Sequence, residues 1–292
     1  MALFRILSLV ALLIPAGAGI GAGAGAAPPS PPPSPEAMLV AIPGGGFVMG
    51  DEAGDGNEAP RRVAIRPFRL MRYEVTNREF ARFVRATGHV TDPERGGAGY
   101  VWTDRWRLVT GADWRHPHGK ADSIAGRDNH PVMQVSARDA AAYCRWLGLR
   151  LPIEAEWEFA ARGTDGRRFP WCDQPPSQTG VKRANFGTVA CCAADGSDGF
   201  EKTAPVGSYP AGRSPFGLHD MAGNVWEWTA SRFPGRPHEV ALRGGGWGND
   251  PYCLRAAYRH GNPTDIGLDT VGFRCAADAA DAADGGDPPI RP

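Results

Sequence analysis

The sequence predicts a single α+β domain in which much of the chain is irregular. Only three segments of the 292 residues combine helical periodicity with capping residues, and the other apolar runs have the length of strands. The 39 glycines and 27 prolines favour turns and loops, while nine tryptophans can serve as large buried anchors. No internal repeat and no second domain boundary is visible, so we assign these elements to one fold.

The N-terminal segment has the features of a signal peptide, which we assign to residues 1–27. Arg5 precedes an apolar core at residues 6–14, and Ala24-Gly25-Ala26 fits the A-x-A cleavage pattern. The apolar run is too short for a membrane anchor, which needs about 20 residues. We therefore expect a periplasmic or secreted protein, with no membrane insertion after cleavage.

The predicted domain occupies residues 38–277. A Pro-rich linker at residues 28–37 comes before it, because Pro/Ser-rich chain is extended and buries little. Residues 278–292 are rich in Ala, Asp, Gly and Pro, which predicts a disordered tail.

Capping signals place the three helices at residues 76–88, 136–148 and about 152–162. In the first helix, Thr76 and Glu79 make a capping box, in which each side chain accepts a hydrogen bond from the other residue's backbone. A glycine closes each of the three segments, as is typical of helix C-termini.

The rest of the domain is predicted from short apolar runs. Those at residues 46–50 and 64–70 indicate strands. From residue 167 to residue 214 the chain has almost no periodicity. An irregular segment of this length needs a disulfide, a bound metal or both to hold it in a compact domain.

The charge balance excludes two classes of partner. The chain has 32 basic and 32 acidic residues and no long run of either sign. Nucleic acids and acidic membrane surfaces are normally bound by a basic face, so we expect neither as a partner.

The six cysteines are expected to form disulfides. Export places them in an oxidising compartment, and none has the C-x-x-C spacing of a zinc or redox site. The pairing is not determined by their positions, which are Cys144, Cys172, Cys191, Cys192, Cys253 and Cys275.

Seven motifs occur along the domain in a fixed order. They are Ile42-Pro43-Gly44-Gly45-Gly46-Phe47-Val48-Met49-Gly50, Tyr73-Glu74-Val75-Thr76-Asn77, His130-Pro131-Val132, Arg150-Leu151-Pro152-Ile153-Glu154-Ala155-Glu156-Trp157-Glu158, Gly217-Leu218-His219-Asp220-Met221-Ala222-Gly223-Asn224-Val225-Trp226-Glu227-Trp228, Arg243-Gly244-Gly245-Gly246-Trp247 and Val271-Gly272-Phe273-Arg274-Cys275. The ordered set resembles the formylglycine-generating-enzyme (sulfatase-modifying-factor) family. The resemblance implies that family's fold, which is related to the C-type-lectin-like fold, has little regular structure and binds structural calcium.

The resemblance implies two calcium sites built from hard oxygen ligands, which calcium prefers. The first site would use the side chains of Asp220 and Glu227 and the backbone carbonyls of Met221, Gly223 and Val225. The second would use Asn185, Phe186, Asp198 and Phe200, with side-chain oxygens from Asn185 and Asp198. The alternative is that Asp220 and Asp198 are ordinary turn residues beside glycine.

The resemblance also implies one disulfide, between Cys144 and Cys275. A second bridge of the family has no counterpart, because Ala161 and Ala256 occupy its positions. A bridge from Cys172 to Cys191 or Cys192 would tie down the irregular segment. Cys253 could instead pair with any of these three cysteines.

The catalytic apparatus that the resemblance implies is incomplete. The family's oxidases hold Cu(I) and engage the substrate thiol with two cysteines that follow a Gly-Gly-Ser motif, and Cu(I) needs such soft thiolates. Here Gly246 replaces the serine and Asn249 stands in the place of the first cysteine. Cys253 is the remaining candidate catalytic residue, and one thiol makes a copper site only if a substrate thiol completes it.

A polar stretch matches the chain beside the family's substrate groove. The candidate groove residues are Trp226, Trp247, Asn249, Arg255, Arg259 and His260, with Asn262 and Arg274 nearby. The arginines could bind a peptide carboxylate or form internal salt bridges, and the tryptophans could be core anchors. His116, His118 and His130 are interpreted as loop residues rather than metal ligands.

These features favour an exported accessory or maturation factor that binds a protein or peptide client. The segment 254–263 is similar to accessory proteins associated with copper nitrite reductase, which suggests that system as a client. One alternative is a copper-dependent oxidase of peptidyl cysteine with an altered thiol set. Another is a calcium-dependent, lectin-like binding module.

Overall fold

A computed structural model describes residues 35–177, 179–189 and 191–279, all of which lie in one compact unit. The predicted signal peptide at residues 1–27 and most of the predicted linker and tail lie outside these residues. Within the described part of the chain, no helix is long and apolar enough to cross a membrane.

The structure confirms the predicted α+β class and the three predicted helices, and it contains a fourth, short helix (α2) that was not predicted. The helices are α1 Asn77–Thr87, α2 Asp92–Gly96, α3 Ala137–Trp146 and α4 Glu154–Arg162. The strands are β1 Leu39–Ile42, β2 Gly45–Met49, β3 Arg61–Ile65, β4 Phe68–Met71, β5 Ala98–Trp102, β6 Trp106–Thr110, β7 Trp226–Phe233, β8 Arg236–Arg243, β9 Arg259–Pro263, β10 Val271–Gly272 and β11 Ala276–Asp278.

The strands form small sheets rather than one large one. A four-stranded sheet has the order β10-β7-β8-β9, a three-stranded sheet has the order β1-β4-β11, and β2-β3 and β5-β6 are hairpins. The only parallel pair among the described strands is β10 with β7. The four-stranded sheet brings the start of β7 beside β10, and this junction carries the candidate site.

Two sequence-based boundaries were wrong. The single strand predicted at 64–70 is divided between β3 and β4, because Pro67 has no N–H to donate to a ladder. The predicted tail began at Asp278, but this residue is the last of β11 and pairs with Phe68 of β4. The Asp278 carboxylate also accepts a hydrogen bond from Arg150 Nε at 3.0 Å.

The irregular middle of the chain is held by buried side chains rather than by regular structure. Within the described part of residues 167–214, the structure has only the 3-10 turns Gly196–Asp198 and Pro210–Gly212. A separate hydrophobic cluster packs this segment against the loops that precede β7 and β9; it consists of Phe169, Ala184, Phe186, Ala222 and Leu254. Burial of these apolar side chains gives the segment a fixed position despite its lack of periodicity.

The disulfide between Cys144 and Cys275 is present, as the resemblance implied. It joins α3 to the residue before β11, with 5.6 Å between the two Cα atoms and 131 residues of sequence separation. Both cysteines are fully buried in the larger core. The bridge therefore connects the middle of the domain to its C-terminal strand.

Candidate functional site

A cavity of about 330 Å³ opens where the hairpin β5-β6, the start of β7 and strand β9 meet. We call it the sulfur cleft, because its lining includes three cysteines. The lining residues are Tyr100, Trp106, Cys191, Cys192, Trp226, Leu242, Asn249, Cys253, Tyr258, His260, Asn262, Ile266, Leu268, Thr270 and Val271. Aromatic and aliphatic side chains predominate, and ligand sites in proteins commonly combine such walls with a few polar groups.

Asn249, which the resemblance aligns with the family's first cysteine, has a structural role. Its Oδ1 accepts hydrogen bonds from Trp226 Nε1 at 2.9 Å and from Gly246 N at 3.0 Å. Its backbone carbonyl accepts from Gly187 N at 2.8 Å. The side chain therefore braces the loop between β8 and Cys253, and its oxygen is a hard donor of the kind that Cu(I) does not favour.

Cys253 lines the cleft as a buried thiol. It lies in a turn in which its backbone N–H donates to the Asp250 carbonyl oxygen at 3.2 Å, and it is 5% exposed. Burial raises the pKa of its thiol to about 11, although a hydrogen bond with Tyr258 works in the opposite direction. At neutral pH the side chain is therefore a protonated thiol, which is a poor metal ligand and a poor nucleophile.

Cys191 and Cys192 form a disulfide with each other. The bridges predicted from Cys172 or Cys253 to this pair were therefore wrong, and the predicted bridge between Cys172 and Cys253 is not formed either. Cys172 instead lies in a local turn, where Phe169 N donates to its carbonyl oxygen at 3.0 Å and Gln174 N lies 3.4 Å from its sulfur. Adjacent cysteines need almost no loop closure to meet.

The structure divides the predicted groove residues into two groups. Trp226, Asn249 and His260 line the sulfur cleft, and Asn262 lines it too. Trp247 is 1% exposed and its Nε1 donates to the Asp269 carbonyl oxygen, so it is a core anchor.

The predicted groove arginines do not reach the cleft. Arg255 forms two hydrogen bonds to the Glu58 carboxylate at 2.8 and 2.9 Å. Arg259 pairs with Glu154 and donates to the Asn57 carbonyl oxygen. A buried guanidinium needs a partner charge, so the salt-bridge alternative is the correct one for both.

The sequence interpretation missed the aromatic wall of the cleft. Hairpin β5-β6 contributes Tyr100 and Trp106, and the segment before β9 contributes Tyr258. Burial alternates along β5, where Gly99 and Val101 are buried and their neighbours are more exposed, but the residues Ala98-Gly99-Tyr100-Val101-Trp102 show no matching alternation of apolar and polar types.

The first predicted calcium site lies in a buried acidic cluster around Arg274. Glu227 accepts two hydrogen bonds from Arg274 at 2.7 Å and one from Trp157 Nε1 at 2.8 Å. Burial raises the pKa of Asp220 to about 6, and burial with the nearby Asp220 and Glu227 charges raises the pKa of Glu74 well above its usual range. Ionising all three carboxyl groups against one guanidinium would leave an excess of negative charge, which a bound cation would offset.

The backbone beside this cluster is shaped by left-handed residues. Asp220, Gly223 and Asn224 have φ values of 54°, 83° and 63°. Asn224 N donates to the Asn185 carbonyl oxygen, and its side chain donates to Glu74 at 2.6 Å. These bonds link the acidic cluster to the second predicted site.

The second predicted calcium site contains a buried oxygen in need of a partner. Asn185 Oδ1 has no hydrogen-bond partner among the described residues, although the residue is 1% exposed. The Asp198 carboxylate accepts hydrogen bonds from Phe186 N at 2.8 Å and Phe200 N at 3.0 Å, and burial raises its pKa. These oxygens fit a hard cation.

Neither predicted site is a cluster of charged ligands alone. Across residues 35–279 as described, no group of three or more His, Cys, Asp or Glu side chains is arranged to hold a metal ion. Calcium at these positions would therefore depend on backbone carbonyl and amide oxygens, which it accepts readily.

The three histidines considered from the sequence occupy separate environments. His116 Nδ1 lies 3.1 Å from Asp113, His118 lies between Asp122 and Asp269, and His130 Nδ1 lies 3.0 Å from Thr203 Oγ1. Each has a local polar partner, which accords with a structural role.

Comparison with known proteins places these features in context. A family model described as "Sulfatase-modifying factor enzyme 1-like domain" matches residues 25–279. The formylglycine-generating enzyme of Streptomyces coelicolor is 42% identical over 289 residues, covering 82% of this chain and 89% of the relative. A mouse protein named inactive C-alpha-formylglycine-generating enzyme 2 is 38% identical over 274 residues, covering 84% and 87%. The solved structure of PvdO from Pseudomonas aeruginosa superimposes with a TM-score of 0.64 at 26% identity, covering 82% of this chain and 94% of that one.

Proposed function

The chain belongs to the sulfatase-modifying factor enzyme 1-like domain family, and on that premise we propose that it is an accessory protein that binds a polypeptide client in the sulfur cleft without oxidising a client cysteine to formylglycine. The observation that carries this proposal is the bracing of Asn249 by Trp226 and Gly246. These hydrogen bonds support the view that the Asn249 side chain stabilises the loop and does not serve as a copper ligand.

The remaining sulfurs of the cleft do not replace the missing ligand. Copper(I) is held by soft thiolates. Burial raises the pKa of Cys253 to about 11, so its thiol gives up a proton with difficulty. Cys191 and Cys192 are joined to each other, so neither offers a thiolate. The donor set of the cleft therefore does not fit the copper ion that the family's oxidases use.

The size and lining of the cleft support a polypeptide ligand. A volume of about 330 Å³ accepts one or two side chains rather than a large cofactor. Trp106, Trp226 and Tyr258 give it apolar walls, and His260 and Asn262 give it polar groups. Aromatic anchors of this kind commonly dominate binding energy at protein interfaces. One relative of this chain, the mouse protein, is itself named as an inactive member of the family, so a member without the oxidase activity has a precedent.

The proposal is tested by presenting a fluorescein-labelled decapeptide with one central cysteine, together with its serine counterpart. We expect both peptides to bind with an affinity that Trp226→Ala lowers by about tenfold, roughly 1.4 kcal/mol. With copper and oxygen added, we expect no aldehyde on the cysteine peptide by mass spectrometry. The Streptomyces coelicolor enzyme serves as the positive control. Aldehyde formation at a comparable rate would overturn the proposal.

A copper-dependent oxidase with an altered thiol set is the second candidate, because Cys253 does line the cleft. A client thiol entering the cleft would then have to supply the other sulfur of a copper site. Copper binding that depends on both the cysteine peptide and Cys253, accompanied by aldehyde formation, would establish this candidate.

We also propose that both predicted calcium sites are occupied in solution. Two observations support the proposal: several carboxyl groups surround Arg274, and Asn185 Oδ1 accepts no hydrogen bond from any described residue. Because calcium would bind the folded state only, it would stabilise that state by about 3–4 kcal/mol at a hundred- to thousandfold excess over its dissociation constant. EDTA should lower the melting temperature and calcium should restore it. An unchanged melt would remove both sites.

We further propose that the client is encountered outside the cytoplasm, on the basis of the signal-peptide features at residues 1–27. Segment 254–263 makes a copper nitrite reductase system one specific client to test. Cell fractionation should recover a mature chain that begins close to residue 28. Recovery of the full-length chain in the cytoplasm would contradict export, and failure to co-purify with the reductase would remove that client.

A further inference from the structure

The Cys191–Cys192 disulfide forms part of the wall of the sulfur cleft and is fixed there by packing. A Cβ added at Gly248 would lie 2.5 Å from the Cys192 carbonyl carbon, so the two backbones are in direct contact. Gly187 N also donates to the Asn249 carbonyl oxygen. The loop that Asn249 braces therefore positions the disulfide at the wall of the cavity in which a client would bind.

The two residues of the disulfide differ in exposure. Cys191 is exposed, whereas Cys192 is 2% exposed. Thiol–disulfide exchange begins with a thiolate attacking an accessible sulfur, and the other sulfur leaves. Because Cys191 is the more exposed residue of the pair, we assign its sulfur as the point of attack and the Cys192 sulfur as the leaving group.

The attacking thiolate must come from the ligand. With its pKa raised to about 11, Cys253 is ionised in only about one molecule in ten thousand at pH 7. An ordinary exposed cysteine has a pKa of about 8.5 and is ionised roughly three hundred times more often. A client cysteine that enters the cleft is therefore a more effective attacking thiolate than the buried Cys253 thiol.

We propose that the sulfur cleft is a thiol–disulfide exchange site for cysteines of a polypeptide client. A client thiolate attacks Cys191, so that a client–Cys191 bond forms, the Cys191–Cys192 bond breaks and the electron pair leaves on Cys192, which takes up a proton. A second client thiolate then attacks the client sulfur, closes a client disulfide and releases Cys191 as a thiol. The client loses two electrons and the vicinal pair gains them, so one turnover needs no other oxidant. This proposal rests on client binding in the cleft.

The test uses the full chain purified without reductant and the same cysteine decapeptide. After acid quenching, we expect intact mass spectrometry to show one peptide adduct. Peptide mapping should place it on Cys191 and should find Cys192 newly reactive to alkylation. A decapeptide with two cysteines should leave the protein as the dithiol and be released as a disulfide. Cys172→Ser is the matched control, because it removes a thiol outside the cleft, and it should give the same adduct.

The outcomes separate this proposal from client binding itself. If the serine peptide binds and the cysteine peptide forms no adduct, the exchange proposal fails and the proposed function stands. If neither peptide binds or reacts, both fail. An adduct that survives in the Cys191→Ser/Cys192→Ser variant would place the chemistry on another cysteine and would also overturn the exchange proposal.

Discussion

Removing the Cys144–Cys275 disulfide should be the most destabilising change to the cross-links of this chain. The bridge closes a loop of 131 residues. In the chain-entropy model, a loop of that length restricts the unfolded state by about 17 cal/mol/K, which is about 5 kcal/mol at 25 °C. Cys144→Ala/Cys275→Ala should therefore lower the free energy of unfolding by about that amount.

Equilibrium urea denaturation measures this loss, and its slope supplies a second readout. Without the cross-link the unfolded chain is more expanded and exposes more surface, so the m value should rise as the midpoint falls. The matched control is Cys191→Ala/Cys192→Ala. These cysteines are one residue apart, so their bridge closes almost no loop.

Comparing the two double variants tests whether loop closure accounts for the stability that the Cys144–Cys275 disulfide contributes. We expect the control to change the free energy of unfolding by under about 1 kcal/mol, because its bridge closes almost no loop and alanine keeps the buried Cys192 position apolar. Equal losses in the two double variants, or an unchanged m value for the long-range one, would refute the loop-closure reasoning.

Three further predictions concern the polar interior. Gly223→Ala should lower the free energy of unfolding by about 2–4 kcal/mol in urea denaturation, because the added Cβ would lie 2.2 Å from the Asn185 carbonyl oxygen and the backbone φ is 83°. Gly56→Ala is the control and should change this free energy little, because an added Cβ there meets no atom within 4 Å. Burial raises the pKa of Asp269 to about 7, above an unfolded value of about 3.9, so its contribution to stability is lost as the pH rises from about 4 to 7. Asp269→Asn should flatten that decline by up to about 1.4 kcal/mol per pH unit, and an unchanged pH profile would contradict the assignment. Asp198→Ala should lower the melting temperature and reduce its response to EDTA; a full EDTA response would exclude Asp198 as a ligand.

The parts of the fold that sequence predicted are those specified by local signals. At α1, the residue types at Thr76 and Glu79 are enough to predict a capping box. The structure shows both of its hydrogen bonds: the Glu79 N–H donates to Thr76 Oγ1 at 3.3 Å, and the Thr76 N–H donates to the Glu79 carboxylate at 2.8 Å. The Cys144–Cys275 pairing is not local, and only the ordered motifs of the family made it predictable.

The parts that sequence did not predict depend on contacts between distant segments. The Arg255 side chain could have faced a peptide or a carboxylate, and only the fold brings Glu58 to it across 197 residues. The same applies to Cys253, whose neighbours in the cleft come from hairpin β5-β6 and from the vicinal disulfide. The spacing of residues along the chain does not predict such long-range contacts, because they depend on how the buried segments pack in the folded protein.

The most direct test of the central claim is a copper(I) titration of the oxidised protein alone, with ascorbate as the reductant and a chromogenic chelator as the competitor. If Asn249 has replaced an indispensable thiolate, the protein should take no copper from the chelator. One tightly held equivalent that disappears in Cys253→Ser would contradict the account, because it would show that a copper site persists without a second thiolate in the cleft.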